Sequence, residues 1–227
     1  MKIFRTVGIP DVATLINASL GLSAIFAAHE GYFSLAFVLI LMAAVADGVD
    51  GYLARMNCSS PLGEYLDSLA DVISFGVAPA CVVYFLYCGE LCIPAALIAV
   101  IYLSGGILRL ARFSTKQKSI PDFEGLPITA SAVVISSYML LFPRYVYPYF
   151  LFSMMLLLAY LMISDHPYPK LRGTRALAFV TVLFSATIVS YLLPEIFLHV
   201  FSTMLFLSLM LYLESPIMKI PRQYYEE

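Results

Sequence analysis

Four aspartates and one arginine fall within the 25 residues from Asp47 to Asp71, in a chain that is otherwise mostly apolar. Asp47 and Asp50 are spaced i, i+3, and Asp67 and Asp71 i, i+4. On a helix either spacing sets the two side chains on one face. Four carboxylates held close together repel one another unless positive charge sits among them. The donors are all oxygen, with no His among them, and such a set selects hard cations such as Mg²⁺ or Mn²⁺. Four carboxylates are enough for two ions. Ions of this kind suit chemistry on a diphosphate, where they polarise phosphoryl oxygens and stabilise a leaving oxygen. Gly48, Gly51 and Gly63 add points where a bulky anion can approach the backbone.

Helices in a membrane must position these groups. The chain has 227 residues, 61% hydrophobic and 12% charged, with a mean hydropathy of +0.89, whereas soluble domains carry about 25% charged residues. Eight charge-free runs of 16 to 20 residues cover 12–29, 31–46, 72–89, 91–108, 125–143, 145–164, 176–194 and 196–213. Roughly 20 apolar residues cross a bilayer as a helix, and a lipid-exposed sheet would need a closed barrel of alternating polarity, which this pattern lacks. The expectation is therefore an all-α integral membrane protein of about eight transmembrane helices, one domain over 1–227 without a linker. The 31–46 run is short, so its helix should continue through Asp47–Arg55, holding the first aspartate pair at its wet end. The stretch 56–63, rich in Ser, Pro and Gly, reads as a tight turn, so the second pair faces the first across a helical hairpin.

Charge sets the orientation. With eight helices and a cytoplasmic N-terminus, all of the 13 Lys and Arg except Arg144 fall on the cytoplasmic side, in accord with the positive-inside bias. The aspartate hairpin then lies at the cytoplasmic face, and Arg109 and Arg112, spaced i, i+3, reach the same face. Lys2 and Arg5 before an apolar run superficially look like a signal peptide, but Pro10-Asp11 interrupts it, so the segment reads as a retained first helix. A net charge of −2 gives no reason to expect nucleic-acid binding. Cys58, Cys81, Cys88 and Cys92 read as structural thiols, and His29, His166 and His199 do not cluster. No Ser, Cys or His stands out as a covalent nucleophile.

The spacing Asp47-x2-Asp50-Gly51-x2-Ala54-Arg55, then Gly63-x3-Asp67-x3-Asp71, resembles the signature of the CDP-alcohol phosphotransferases. Seven residues separate Arg55 from Gly63 where that family usually has eight. Further stretches resemble its phosphatidylserine synthase branch, archaetidylserine synthases included: Asp67 to Pro79, Leu108 to Phe113, Phe123 to Pro127, and Tyr168-Pro169-Lys170. The resemblance implies a bundle of that family's type. It also implies transfer of a phosphatidyl group from CDP-diacylglycerol, or CDP-archaeol, to the hydroxyl of L-serine with release of CMP. In this likeness Asp47, Asp50, Asp67 and Asp71 bind two divalent cations, Mg²⁺ or Mn²⁺, and Asp71 is also the general base. Gly51, Arg55 and Ser60 contact the nucleotide and its phosphates, Asp11, Val12, Ala13 and Thr14 contact the cytidine, and Arg109 or Arg112 takes the lipid phosphate or the serine carboxylate. Such enzymes generally form homodimers among membrane lipids. The alternatives are the same chemistry with glycerol 3-phosphate, inositol phosphate or choline as acceptor, and a cation-coupled transporter using the aspartates as ion ligands.

Overall fold

The computed structural model describes residues 8–54, 56, 62–115, 123–168 and 174–218. Its helices are α1 (Ile9–His29), α2 (Phe33–Leu53), α3 (Gly63–Asp71), α4 (Ala78–Tyr87), α5 (Cys92–Thr115), α6 (Ile128–Met139), α7 (Pro148–Ile163), α8 (Thr174–Ser190) and α9 (Glu195–Met218). A π-helical stretch, Val72–Val77, joins α3 to α4 without a break, so the described helices form eight rods, matching the eight apolar runs. Five of these rods are long and apolar enough to cross a membrane: α1, α2, Gly63–Tyr87, α5 and α9. Large apolar side chains stand exposed around them, among them Ile9, Phe26, Ile93, Leu97 and Leu211. Outward apolar surface on that scale fits a lipid solvent, not water. Two two-residue strands, β1 (Phe123–Glu124) and β2 (Pro167–Tyr168), pair antiparallel and are the only strands among the described residues.

The chain divides into two compact units, Met1–Leu103 and Ser104–Glu227. In the first, α2 extends past the short apolar run as far as Leu53 and carries the first aspartate pair on its last turns. The buried face of α1 is a stripe of Asp11, Thr14, Asn17, Gly21, Ala24 and Ala28. Its small residues allow close approach: a Cβ at Gly21 would overlap Ser74 Oγ and come 2.6 Å from the Ser74 Cα. Eight residues on, the His29 ring meets Phe85 at 5.9 Å, so α1 and the α3–α4 rod run in the same direction. The π stretch is hydrogen-bonded to a helix on either side. Ser74 Oγ donates to the Asn17 carbonyl (2.8 Å), and the fully buried Tyr102 hydroxyl donates to the Phe75 carbonyl (2.9 Å).

In the second unit α6 is the most enclosed helix, with Ile128, Ser131 and every residue from Ala132 to Tyr138 buried. It is shorter than its 19-residue apolar run suggests. At one end Gly125 has φ +76° and Pro127 precedes the first helical residue. At the other, Leu140 leaves helical geometry and Pro143 starts a 3-10 turn. The carbonyl of Leu140 is satisfied from α9, by Ser202 Oγ (2.7 Å) and by His199 Nδ1 (2.9 Å), which must be the donor because a carbonyl only accepts. Gly105 and Gly106 let the end of α5 lie against Ala159 of α7 and Ile128 of α6.

Candidate metal and phosphate site

Carboxylate oxygens of Asp47, Asp67 and Asp71 all lie within 4.8 Å of one another, Asp71 buried and the other two half-buried. The expected approach of the two helices is therefore present: Asp47 comes from the last turns of α2, and Asp67 and Asp71 from α3, while most of the expected turn 56–63 lies outside the described residues. Three carboxylates this close carry a repulsion that a hard divalent cation removes, and their all-oxygen character matches Mg²⁺ or Mn²⁺. The donor set fits the ion the sequence points to.

Asp50 is the fourth expected ligand, and it lies outside that group of three. Three residues along a helix is 300° of rotation, so Asp50 sits about 60° around α2 from Asp47. That rotation turns it toward α1, where Thr14 Oγ1 donates to its Oδ2 at 2.8 Å. Both residues are buried. Thr14 thus fixes the carboxylate beside the three-aspartate cluster. Thr14→Val, which keeps the shape and deletes the hydroxyl, is expected to destabilise the protein by about 1.5–3 kcal/mol, the worth of a hydrogen bond to a charged group. Thr14→Ser should retain most of it. Thermal midpoints of the purified variants in detergent read the difference, and equal midpoints for Val and wild type would refute the contact.

The other expected contacts divide by helix face. Asp11 is buried and its Oδ2 accepts the Gly8 amide at 2.6 Å, closing the first turn of α1. It lies on the same stripe as Thr14, whereas Val12 is exposed and Ala13 half-buried. Gly51 is half-buried, and a Cβ built there or at Gly48 meets no atom within 4 Å. Helix packing therefore does not explain these two glycines. Arg55 and Ser60 lie outside the described residues, as do Lys116, Lys118 and Lys170.

The two arginines of α5 are used differently. Arg109 is buried, with its guanidinium 5.4 Å from the Phe113 ring centroid. Arg112 reaches the end of α7. Its Nη1 donates to the Ile163 carbonyl (3.1 Å) and Asp165 Oδ1 (3.0 Å), and its Nη2 to the carbonyls of Met162 (3.2 Å) and Ser164 (3.0 Å). A helix ends in carbonyls without intrahelical partners, and Arg112 satisfies three of them. The loop ahead of α6 is tied to the same place, through Gly125 N–H to His166 O (2.9 Å) and Leu126 N–H to Leu161 O (3.0 Å). The Phe123-to-Pro127 stretch and Tyr168, singled out from the sequence for their resemblance, thus belong to one structural knot. Sequence reasoning missed this role for Arg112 because its acceptors lie some fifty residues away.

Comparison with known proteins bears on the same segments. Residues 7–164 match the family model described as CDP-alcohol phosphatidyltransferase. The archaetidylserine synthase of Methanothermobacter thermautotrophicus is 36% identical over 184 residues, covering 77% of this chain and 75% of that protein. A CDP-diacylglycerol–serine O-phosphatidyltransferase of Methanocaldococcus jannaschii is 37% identical over 170 residues, 74% of this chain and 77% of the relative. The Helicobacter pylori protein of the same name is 34% identical over 177 residues, 73% of each chain.

Proposed function

This chain belongs to the CDP-alcohol phosphatidyltransferase family, and from that premise we propose that it transfers the phosphatidyl or archaetidyl group of a CDP-lipid to the hydroxyl of L-serine, releasing CMP. The observation that carries the chemistry is the convergence of Asp47, Asp67 and Asp71 to within 4.8 Å, on the hairpin that bears the family signature. The acceptor follows from relatives named for serine in both archaea and bacteria. The family match crosses both compact units, in keeping with the whole chain acting as one catalytic domain.

Asp47, Asp67 and Asp71 would hold one divalent ion, and Asp50, beside Asp47 on α2, would extend the set to a second. When bound, Mg²⁺ or Mn²⁺ supplies charge neutralisation at the diphosphate and at the leaving CMP oxygen. The chain's own residues do the rest. Asp71, the most buried of the three, takes the proton of the serine hydroxyl as the new P–O bond forms and the bond to CMP breaks. A free carboxylate has a pKa near 4 and is a weak base, so proton removal accompanies bond formation instead of preceding it. Thr14 orients Asp50. Asp11 and Thr14 line the α1 side, where the cytidine is assigned, with Val12 and Ala13 beside them. Gly51, Arg55 and Ser60 take the nucleotide and its phosphates. With Arg112 engaged at the end of α7, the role of binding the lipid phosphate or serine carboxylate is assigned to Arg109.

The apolar helices support an integral membrane protein. The Lys and Arg distribution supports a cytoplasmic N-terminus and a cytoplasm-facing site, and the enzyme is expected to work as a homodimer among membrane lipids. The test is CMP release by purified protein with CDP-diacylglycerol or CDP-archaeol. L-serine, glycerol 3-phosphate, inositol 1-phosphate and choline are offered singly, with Mg²⁺, Mn²⁺ or a chelator. Release with serine alone, abolished by the chelator, is the expected result. Release with another acceptor overturns the serine assignment, and metal-independent release overturns the role of the aspartates.

A further inference from the structure

Asn17 is fully buried, and among the described residues neither its side-chain oxygen nor its side-chain nitrogen has a hydrogen-bond partner. Buried carboxamides left in that condition are rare, because each unmade bond forfeits what water would have given. The placement of this one is informative. It lies on the buried stripe of α1, one turn beyond Thr14, which holds Asp50. Four residues further on, Gly21 abuts Ser74. Because α1 and the α3–α4 rod run in the same direction, counting back one turn from that contact on each helix puts Asn17 level with Asp71. The carboxamide therefore sits where α1 faces the carboxylate end of α3, on the apolar side of the Thr14–Asp50 contact. Its backbone is held there by the hydrogen bond from Ser74 to the Asn17 carbonyl. The main chain is fixed and the amide is uncommitted.

We propose that Asn17 is a substrate-recognition residue whose carboxamide hydrogen-bonds a substrate group presenting a donor beside an acceptor. This rests on the phosphatidyltransferase reading above. Two groups of that chemistry enter such a site: the amine and ring nitrogen along one edge of cytosine, and the ammonium and carboxylate of serine. A carboxamide offers the complementary pair, one carbonyl acceptor and an NH₂ donor. A site built to satisfy such a group discriminates strongly once the pairing is removed, because the partner is then left buried and unmatched.

The test uses Asn17→Leu, an apolar residue of the same branched shape and heavy-atom count that leaves no unsatisfied group, and Asn17→Asp, which keeps the acceptor and loses the donor. For the full-length enzyme in detergent, the KM for CDP-lipid and the KM for serine are measured separately. CMP binding in the presence of Mn²⁺ is followed by calorimetry, and thermal midpoints are recorded. Asn17→Leu is expected to raise one KM by about tenfold or more with a thermal midpoint no lower than wild type, and Asn17→Asp to fall between. A weakened CMP affinity identifies the base as the ligand; an unchanged one with a raised serine KM identifies serine. Both KM values within twofold of wild type, or a lowered midpoint with unchanged KM, overturns the proposal and makes Asn17 a packing residue. An active wild type is the control that separates the two claims. If wild type neither binds nor releases CMP, the phosphatidyltransferase reading falls and this inference with it.

Discussion

Asp71→Asn is expected to lower the rate of CMP release by at least about 10³-fold while leaving a folded protein. The substitution removes two things at once: the base assigned to the serine hydroxyl, a contribution of roughly 10²–10⁴ in rate, and one charged oxygen ligand of the proposed cation site. It also relieves repulsion within a cluster whose oxygens lie within 4.8 Å. Without metal, the variant should therefore be no less stable than wild type. With millimolar Mg²⁺ or Mn²⁺ the order should invert, since a ligand that binds only the folded state raises its stability in proportion to RT ln(1 + [L]/Kd). Asp50→Asn provides the contrast. Its amide oxygen can still accept from Thr14, so its loss should be smaller and it should keep part of the metal-induced stabilisation. Initial rates and thermal midpoints with and without metal measure both. An Asp71→Asn enzyme retaining more than about a tenth of wild-type rate would remove Asp71 from the chemistry.

The second large effect concerns stability, away from the carboxylates. Gly125→Ala is expected to destabilise the protein by more than about 3 kcal/mol, enough to depress the yield of folded material. Gly125 has φ +76°, which costs an L residue about 1–2 kcal/mol. A Cβ there would also stand 2.5 Å from the Met162 carbonyl oxygen, 2.6 Å from the Arg112 guanidinium and 2.9 Å from the Ser164 carbonyl oxygen. Two of those atoms are backbone and the third belongs to a guanidinium held by four hydrogen bonds, so none can yield cheaply. Gly125→Asn separates the contributions. Asn tolerates a positive φ better than Ala, yet brings the same Cβ, so if crowding dominates it fails equally. Recovery of Asn but not Ala in size-exclusion chromatography would assign the effect to backbone conformation alone.

Much of this arrangement is legible in the sequence, for identifiable reasons. Charge is expensive in hydrocarbon, so gaps between charged residues mark the helices; the extension of α2 to Leu53 follows from a run too short to span. The i, i+4 spacing puts Asp67 and Asp71 on one face, and the expected pairing of the end of α2 with α3 brings Asp47 to them. What stayed hidden depends on partners distant in sequence. Nothing in the Asp47–Asp50 spacing tells which carboxylate faces α1, because that is set by where Thr14 lands. The Arg109–Arg112 pair reads as two equivalent ligands, and only the end of α7 distinguishes them. The short α6 was partly foreseeable, since Gly125 and Pro127 punctuate the apolar run, but hydropathy averages over such punctuation.

The π stretch between α3 and α4 bears on how the family signature is held. Each residue of an α-helix turns the next by 100°, so one residue more or less within the continuous α3–α4 rod would turn Asp67 and Asp71 relative to the face that α4 packs. Val72–Val77 begins at the residue after Asp71; it is tied to α1 by its own Ser74, which donates to the Asn17 carbonyl, and to α5 by Tyr102, which donates to the Phe75 carbonyl. It shifts the rotational phase within one rod: the carboxylate end turns toward Asp47 of α2, while α4 packs against α1. Deleting one residue from this stretch would restore a regular helix and rotate the aspartates about a quarter turn against the apolar half of the same rod. A helix that looks like a single uninterrupted span is, in rotational terms, two independently indexed parts.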